Sequence, residues 1–553
     1  MARCRRRPHP APRILHHGRR RAQRLGDRAV GLRRARADPA PGGRVSAPRR
    51  ASPAAVLAVV SFGVFVAADD LTVVSTMLRQ IIGDLGIPLP DGWDRAAWIV
   101  NSYLVAYVAV MPFMGRLSDI LGRRRVFMGA LALFLAGSAW IPFTTSLGPF
   151  LAGRIMTAIG GGAMVPVALA AVGDAFAARR RPRALGILGA VDTMGWVWGP
   201  LFGALLVRFL NWRWQFYLNI PLALLAMAGA WWALAHLDRP AVRRRIDWPA
   251  AAALSAALVC LNVALVNTSE ISGVTGLEEL TGRRSLPTIP FFVAAAASLA
   301  AFFWLERRSR DPLIDLRLFG RPNFGAAMLI NFLVGTALII AMVDVPLFVN
   351  LVVETGLQRA AVLSGWVLSA LTAAMAIASW AGGRLTEASW YRPPALGGLA
   401  TGAGAFILMA TTWSPAVTLL TMVVSLAVLG LGFGLVTAPA NAAAVDAVPA
   451  DRRGVAGGLV ILSRLMGLAV GLSGLTAWAM YRFETARRAL DLPPIDTPGY
   501  DQLLRQAQEE LTSSALRETF LISALCLVLA LVAALRLRRR PDPAPGPAAP
   551  LSR

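Results

Sequence analysis

The stretch FGVFVAADDLTVVSTML puts two adjacent carboxylates, Asp69 and Asp70, inside a run otherwise fit to lie in lipid. A charge at bilayer depth costs roughly 2.5–3.5 kcal/mol on insertion scales, so it persists where it faces a cavity or a partner. A carboxyl that alternates between a guanidinium and an apolar setting can release and bind a proton. Arg154 is the candidate cation. It lies near the outer start of a descending apolar run, at a depth matching Asp70, which stands roughly 24 Å along its own helix at 1.5 Å per residue. The competing reading is a static pair that only fixes helix packing, but buried ion pairs are poor stabilisers and usually need another reason to exist. Asp69 is turned about 100° from Asp70 on a helix and is expected to face the same cavity less directly.

Other embedded charges extend this set. Asp344, in AMVDVPLFV, has no local partner in the sequence and could serve a second proton or attract a cationic substrate; a capped, water-exposed carboxylate near the outer surface is the alternative. Asp192 and Arg464 carry opposite charges at positions that an internal repeat makes equivalent. Equivalence does not require contact, and each is a candidate for lining the cavity.

The elements that must position these residues are membrane helices. The chain has 553 residues, 56% hydrophobic and 16% charged, with a mean hydropathy of +0.56, too apolar for a soluble protein of several domains. Runs of about 20 apolar residues, enough to cross a ~30 Å hydrocarbon core, recur about fourteen times after residue 53. The pair at 247–267 and 287–305 is the weakest, being Ala-rich, and one of the two could be a surface helix. Arginine clusters in RLSDILGRRR, AARRRPRA, LDRPAVRRRID, ERRSRDPLIDLRLFGRPN, PADRRG and RLRRRP fall on alternate loops. By the positive-inside rule those loops and both termini are expected in the cytoplasm.

The formal charge of +25 invites a nucleic-acid reading, but 16 Arg against Asp27 and Asp38 in residues 1–50 account for more than half of it. That segment has no amphipathic period and no aromatic interleaving, so it is expected to be a disordered basic tail rather than a nucleic-acid surface. An upstream start codon is the alternative explanation. Cys4, Cys260 and Cys526 have no paired spacing, and neither a disulfide framework nor a metal site is expected. A G-x-x-x-x-G-K-[ST] loop is missing and the chain has no lysine, which excludes an ATP-driven pump on this chain.

Internal repetition organises the helices. GILGAVDTMGWVWGP (186–200) and GLVILSRLMGLAVGL (458–472) share Gly186/Gly458, Met194/Met466, Gly195/Gly467 and Gly199/Gly471, each pair 272 residues apart. The same offset takes Asp174 to Asp446, and GRLSD (115–119) returns as GRLTE (383–387) at nearly that spacing. Repeats of this kind are common in secondary transporters. The fold class expected is an all-α polytopic membrane protein of two six-helix bundles with two extra helices inserted between them. In residues this is a tail at 1–53, a first bundle at 54–237, a linker with the extra helices at 238–323, a second bundle at 324–538 and a tail at 539–553.

GRLSDILGRRRVF (115–127) resembles the signature loop of the major facilitator superfamily. ADDLTVVSTM, GRIMTAIGGG (153–162), GWVWGPLFG (195–203) and WRWQFYLNIP (212–221) are similar to further motifs of that family, in the same order. The set, with the helix count, resembles its fourteen-span drug/proton antiporter branch. Within the branch, DDLTVVSTMLRQIIGDLGIPLP and AAWIVNSYLVAYVAVMPFMGRLSD are similar to mycobacterial exporters of drugs and triacylglycerol that work with a periplasmic lipoprotein. One departure is Thr157-Ala158, where the family usually has Gln-Gly.

The resemblance implies a proton-coupled efflux antiporter for hydrophobic or amphipathic compounds in a bacterial plasma membrane, powered by the proton gradient without a cofactor, not an enzyme and expected as a monomer. It gives Asp70 the place of the family's first-helix acid, and implies that Gly195, Gly199, Pro200 and Gly203 accompany antiport. From physics alone those four allow close helix approach and a bend. Gly115, Asp119, Gly122, Arg123 and Arg124 form the loop expected to lock one side shut: Asp119 can bind Arg123 and favour the positive end of a helix starting near Gly454. A lipid exporter opening laterally between the halves is an alternative, with outer loops at 268–286 and 481–516 for partner contacts and QLLRQAQEELTSSALRE as an amphipathic outer helix. A solute uptake carrier, or a scaffold or sensor without turnover, completes the alternatives.

Overall fold

The computed structural model describes residues 51–88, 93–237, 247–269, 288–309, 312–353, 357–489 and 500–538. The basic tail at 1–50, most of the outer loop at 268–286 and the tail from 539 lie outside the described residues. Among the described residues the chain forms fourteen long helices: α1 (Pro53–Asp84), α2 (Trp93–Leu121), α3 (Arg123–Trp140), α4 (Leu147–Ala175), α5 (Arg181–Phe209), α6 (Arg213–Ala233), α7 (Trp248–Ser269), α8 (Thr288–Arg308), α9 (Pro322–Phe348), α10 (Leu357–Ser389), α11 (Arg392–Thr412), α12 (Leu419–Asp446), α13 (Arg453–Ala489) and α14 (Tyr500–Ala534). Helices dominate because lipid offers the backbone no hydrogen bonds, so each segment must satisfy its own.

Local signals set the ends. Ser52 caps α1, its hydroxyl accepting from the Ala55 amide at 3.2 Å, with Pro53 in the first turn. Gly122, at φ +99°, separates α2 from α3 in a conformation that a side chain would strain. Thirteen of the fourteen helices carry a described stretch long and apolar enough to cross a membrane; α5, which holds Asp192, is the one not among them. The Ala-rich pair forms two such helices, α7 and α8, packed on each other. The segment expected as a separate outer helix is instead the start of α14, continuous with the last span.

Packing repeats along the chain. The pairs α1·α5, α1·α4, α1·α6, α2·α4, α3·α4 and α3·α6 recur as α9·α13, α9·α12, α9·α14, α10·α12, α11·α12 and α11·α14. Two cross-contacts, α5 on α10 and α13 on α2, are likewise equivalent. α7 packs against α2 and α13.

Candidate functional site

α1 and α4 bring Asp70 and Arg154 together. Arg154 Nη1 lies 2.9 Å from Asp70 Oδ2, and both side chains are fully buried. The other carboxylate oxygen accepts from Asn219 Nδ2 at 3.1 Å. Tyr103 of α2 lies with its ring centre 4.2 Å from the guanidinium carbon, a cation–π contact that adds to the ion pair. Thr157, at the departure from the usual Gln-Gly, donates its hydroxyl to the Arg154 carbonyl at 3.0 Å.

Asp69 joins the same network, closer to it than the 100° turn suggested. Gln215 Nε2 donates to Asp69 Oδ2 at 2.8 Å and reaches Asn219 Oδ1 at 3.4 Å, so two amides one turn apart on α6 link the two acids. Asp69 Oδ1 is buried with no hydrogen bond among the described residues. Gln215, Asn219 and Tyr103 were not singled out in the sequence reading. The signal available for the amides was their i, i+4 spacing in an otherwise apolar run; an embedded tyrosine gives none.

The glycines of GWVWGPLFG seat α5 on this part of α1. A Cβ at Gly195 would stand 2.6 Å from the Ala68 methyl, one at Gly199 2.9 Å from the Asp69 carbonyl oxygen, and one at Gly203 2.8 Å from that of Val73. Pro200 falls in the same helix. Larger residues would push α5 off the helix that carries the acids. A turn away on α5, Asp192 Oδ2 accepts from Arg464 Nη2 of α13 at 2.8 Å, both largely buried. The equivalent positions are therefore in contact, one from each repeat.

Asp344 is 1% exposed, which removes the water-exposed alternative. Its partner is the Thr519 hydroxyl of α14, at 2.5 Å, and among the described residues no cation pairs with it. The sequence offered no sign of this contact, made 175 residues away.

The arginine-rich end is closed by a second network. Asp119 pairs with Arg123 at 2.5 Å and accepts from the backbone amides of Gly454 at 2.9 Å and Val455 at 3.1 Å, at the start of α13. Asp174 joins Arg123 at 3.1 Å and Arg453 at 2.8 Å. Gly115 meets the Gly454 backbone, an approach that no side chain would permit. Arg124 has a different place from Arg123: it stacks on Trp231 of α6, 3.8 Å from the ring centre. The other repeat supplies a counterpart in Asp446, which binds Arg181 and accepts from the Tyr391 hydroxyl at 2.6 Å. The repeat offset marks Asp174 and Asp446 in the sequence, and Arg123 belongs to the loop expected to lock this end; Arg453 and Arg181 carry no such mark.

The model of the Major Facilitator Superfamily matches residues 60–472. A triacylglyceride transporter of Mycolicibacterium hassiacum is 32% identical over 82% of this chain and 85% of its own. One of Mycobacterium tuberculosis is 32% identical over 80% and 86%, and multidrug resistance protein 3 of Bacillus subtilis is 31% identical over 77% and 79%. Among solved structures, the human organic anion transporter superposes with a TM-score of 0.54 at 16% identity over 86% of this chain and 99% of its own. A proton:xylose symporter gives 0.54 at 13% over 86% and 94%. With a family match over most of the helical region and relatives of this identity and coverage, the chain belongs to the major facilitator superfamily and is a multi-pass membrane transporter rather than an enzyme.

Proposed function

We propose that this transporter is a proton-coupled antiporter that exports hydrophobic or amphipathic compounds by alternating access. The reading rests on the fully buried Asp70–Arg154 pair. With Asp70 ionised, the guanidinium, Asn219 and the carboxylate hold α1, α4 and α6 together. A proton arriving on Asp70 cancels the charge that holds Arg154 and frees α1 to shift against α4. The shift reaches α5 through its glycine-lined contact with α1, and α5 carries the Asp192–Arg464 link between the repeats. Asp69, with one oxygen unpartnered in the same network, serves as the neighbouring proton acceptor. The Asp119 and Asp174 contacts then lock and release the arginine-rich end.

This mechanism needs two bundles, 54–237 and 324–538, rocking about their interface, with α7 and α8 as an inserted pair. It also needs the arginine-rich loops to face the cytoplasm, in a bacterial plasma membrane. That the relatives include proteins named as triacylglyceride transporters favours a second, narrower reading, in which the cargo is a neutral lipid passed to a periplasmic lipoprotein. The relative named for multidrug resistance supports the broader one.

The test is transport of a lipophilic cation and of a fluorescent triacylglycerol in proteoliposomes, with and without an imposed pH gradient, for the native protein and Asp70→Asn. Gradient-driven movement lost in Asp70→Asn supports proton antiport, and the better cargo chooses between the readings. Undiminished gradient-driven transport by the variant would remove Asp70 from the coupling.

A further inference from the structure

Four arginines at the closed end have acids. Arg123, Arg181, Arg452 and Arg453 all pair with aspartates. A different arrangement surrounds a cavity of about 600 Å³ where α9 and α11 begin and α14 ends. Arg321, Arg392, Arg536 and Arg538 line it, and no Asp or Glu does. Arg321 donates to the Ala447 carbonyl at 2.6 Å; the guanidinium groups of the other three have no acidic partner among the described residues. Asn323 holds the chain at the rim, accepting from the Arg538 amide at 2.7 Å and donating to its carbonyl at 3.3 Å. Four like charges lining one cavity with no acid among its lining residues give it a positive potential that favours an anion.

Trp390 supplies an independent observation. Its φ is +111°, the left-handed side that bulky residues avoid. At the corresponding place in the first repeat, just after the loop that GRLSD opens, stands Gly122 with φ +99°. The backbone thus keeps a conformation suited to glycine and carries a tryptophan there, lining the arginine cavity. A strained residue kept at such a position points to a role beyond the fold. Indole rings favour the headgroup level of a membrane. Phe319 and Leu535, each 45% exposed, complete an apolar rim beside the arginines.

We propose that this cavity binds the phosphate headgroup of an anionic membrane lipid from the leaflet on the arginine-rich side. The arginines meet the phosphate oxygens with their paired N–H groups. Trp390 packs on the glycerol region, and the acyl chains run along Phe319 and Leu535. The site is separate from the Asp70 network and does not depend on which cargo is moved.

The full chain is purified in an uncharged detergent, and lipid retention is measured by native mass spectrometry alongside thermal unfolding. Phosphatidylglycerol, phosphatidylcholine and inorganic phosphate are titrated separately. Phosphatidylglycerol is expected to be retained and to raise the melting temperature, with little response to the other two. Arg392→Gln with Arg536→Gln is expected to weaken retention by about tenfold or more, whereas Arg307→Gln, an exposed arginine elsewhere at this end, leaves it unchanged. Trp390→Gly relieves the strained position, so it is expected to unfold no earlier than the native protein without lipid, yet to lose the rise with phosphatidylglycerol. An equal response to phosphatidylcholine, or an unchanged phosphatidylglycerol response in both cavity variants, overturns the proposal. If inorganic phosphate alone produces the full effect, the site is for a soluble anion and the lipid assignment fails.

Discussion

Asp70 and Asp344 are buried acids of corresponding helices in the two repeats, at different depths: Gly199 meets the Asp69 carbonyl and its equivalent Gly471 that of Thr336, which sets Asp344 about two turns further along α9. Each acid lies in a helix that begins a repeat, α1 or α9, and each touches the last helix of its set, through Asn219 on α6 and Thr519 on α14. The chemical difference is the arginine. α4 supplies Arg154 to Asp70, whereas α12, its counterpart against α9, contains no arginine at all. The closed end differs in the same sense. Asp174 joins an arginine of its own repeat to one of the other, and the partners of Asp446 include Arg181 and the neutral Tyr391 hydroxyl. Asp119 caps the first amides of α13, while Pro182, in the matching first turn of α5, has no N–H to cap, and Glu387 makes no hydrogen bond or ion pair among the described residues. One backbone plan thus surrounds its membrane acid with charge in the first repeat and with a neutral hydroxyl in the second. On the mechanism proposed here, the first repeat responds to protons and the second follows.

The largest effect that would break this contrast is at Arg154. Arg154→Met leaves Asp70 buried without its cation, and removing one member of a buried pair costs about 3–5 kcal/mol. Thermal unfolding in detergent should show that loss, and Asp70→Asn added to Arg154→Met should recover most of it. Asp344→Asn, by contrast, exchanges one hydrogen-bonded polar group for another and should cost no more than about 1 kcal/mol. A loss at Asp344 as large as that at Arg154 would mean that the second acid also carries a compensated charge, and the contrast between repeats would fail.

A smaller effect separates the two loops. Asp119→Ala removes a cap on the start of α13 together with the Arg123 pair, worth about 1–2 kcal/mol. Glu387→Ala should change stability by no more than about 0.5 kcal/mol. The readout is the distance between labels placed on the arginine-rich loops of the two repeats. Asp119→Ala should shift the population towards longer distances and Glu387→Ala should leave it in place. Equal shifts would show that both loops latch the closed end.

These contrasts were only partly visible in the sequence. The Asp70–Arg154 pair and the Asp119 cap could be anticipated, because a charge buried in lipid must find an opposite charge or a helix end, and candidates of either kind are few. Gln215 and Asn219 escaped because amides scarcely disturb an apolar run, so hydropathy does not mark them. Thr519 escaped for a different reason: a threonine commonly bonds to its own helix, and nothing local says that this one also faces Asp344. The continuity of α14 is hidden for a third reason: a polar helical segment outside the membrane carries no signal for joining the span that follows.

The smallest expected effect lies at the opposite end, where WRWQFYLNIP begins. Gln80 accepts from the Trp212 amide at 3.0 Å, and Asp84 accepts from the Trp212 indole at 2.9 Å and pairs with Arg213. The indole hydrogen bond first, and Arg213 after it, hold the Asp84 carboxyl below the usual carboxylate range. A group lowered in this way contributes stability that is complete above its unfolded value, about 4, and is lost as the pH falls through the lowered one. Stability from this clamp should therefore be flat from neutral pH down to about pH 5 and decline only in stronger acid. Asp84→Asn should cost less than about 1 kcal/mol at neutral pH, because the pair is partly exposed and screened by solvent. Thermal unfolding at neutral and acid pH should show the native and variant curves converging on acidification. A gap that widens instead would mean that Asp84 is held neutral, and the clamp would then depend on the indole hydrogen bond without the charge.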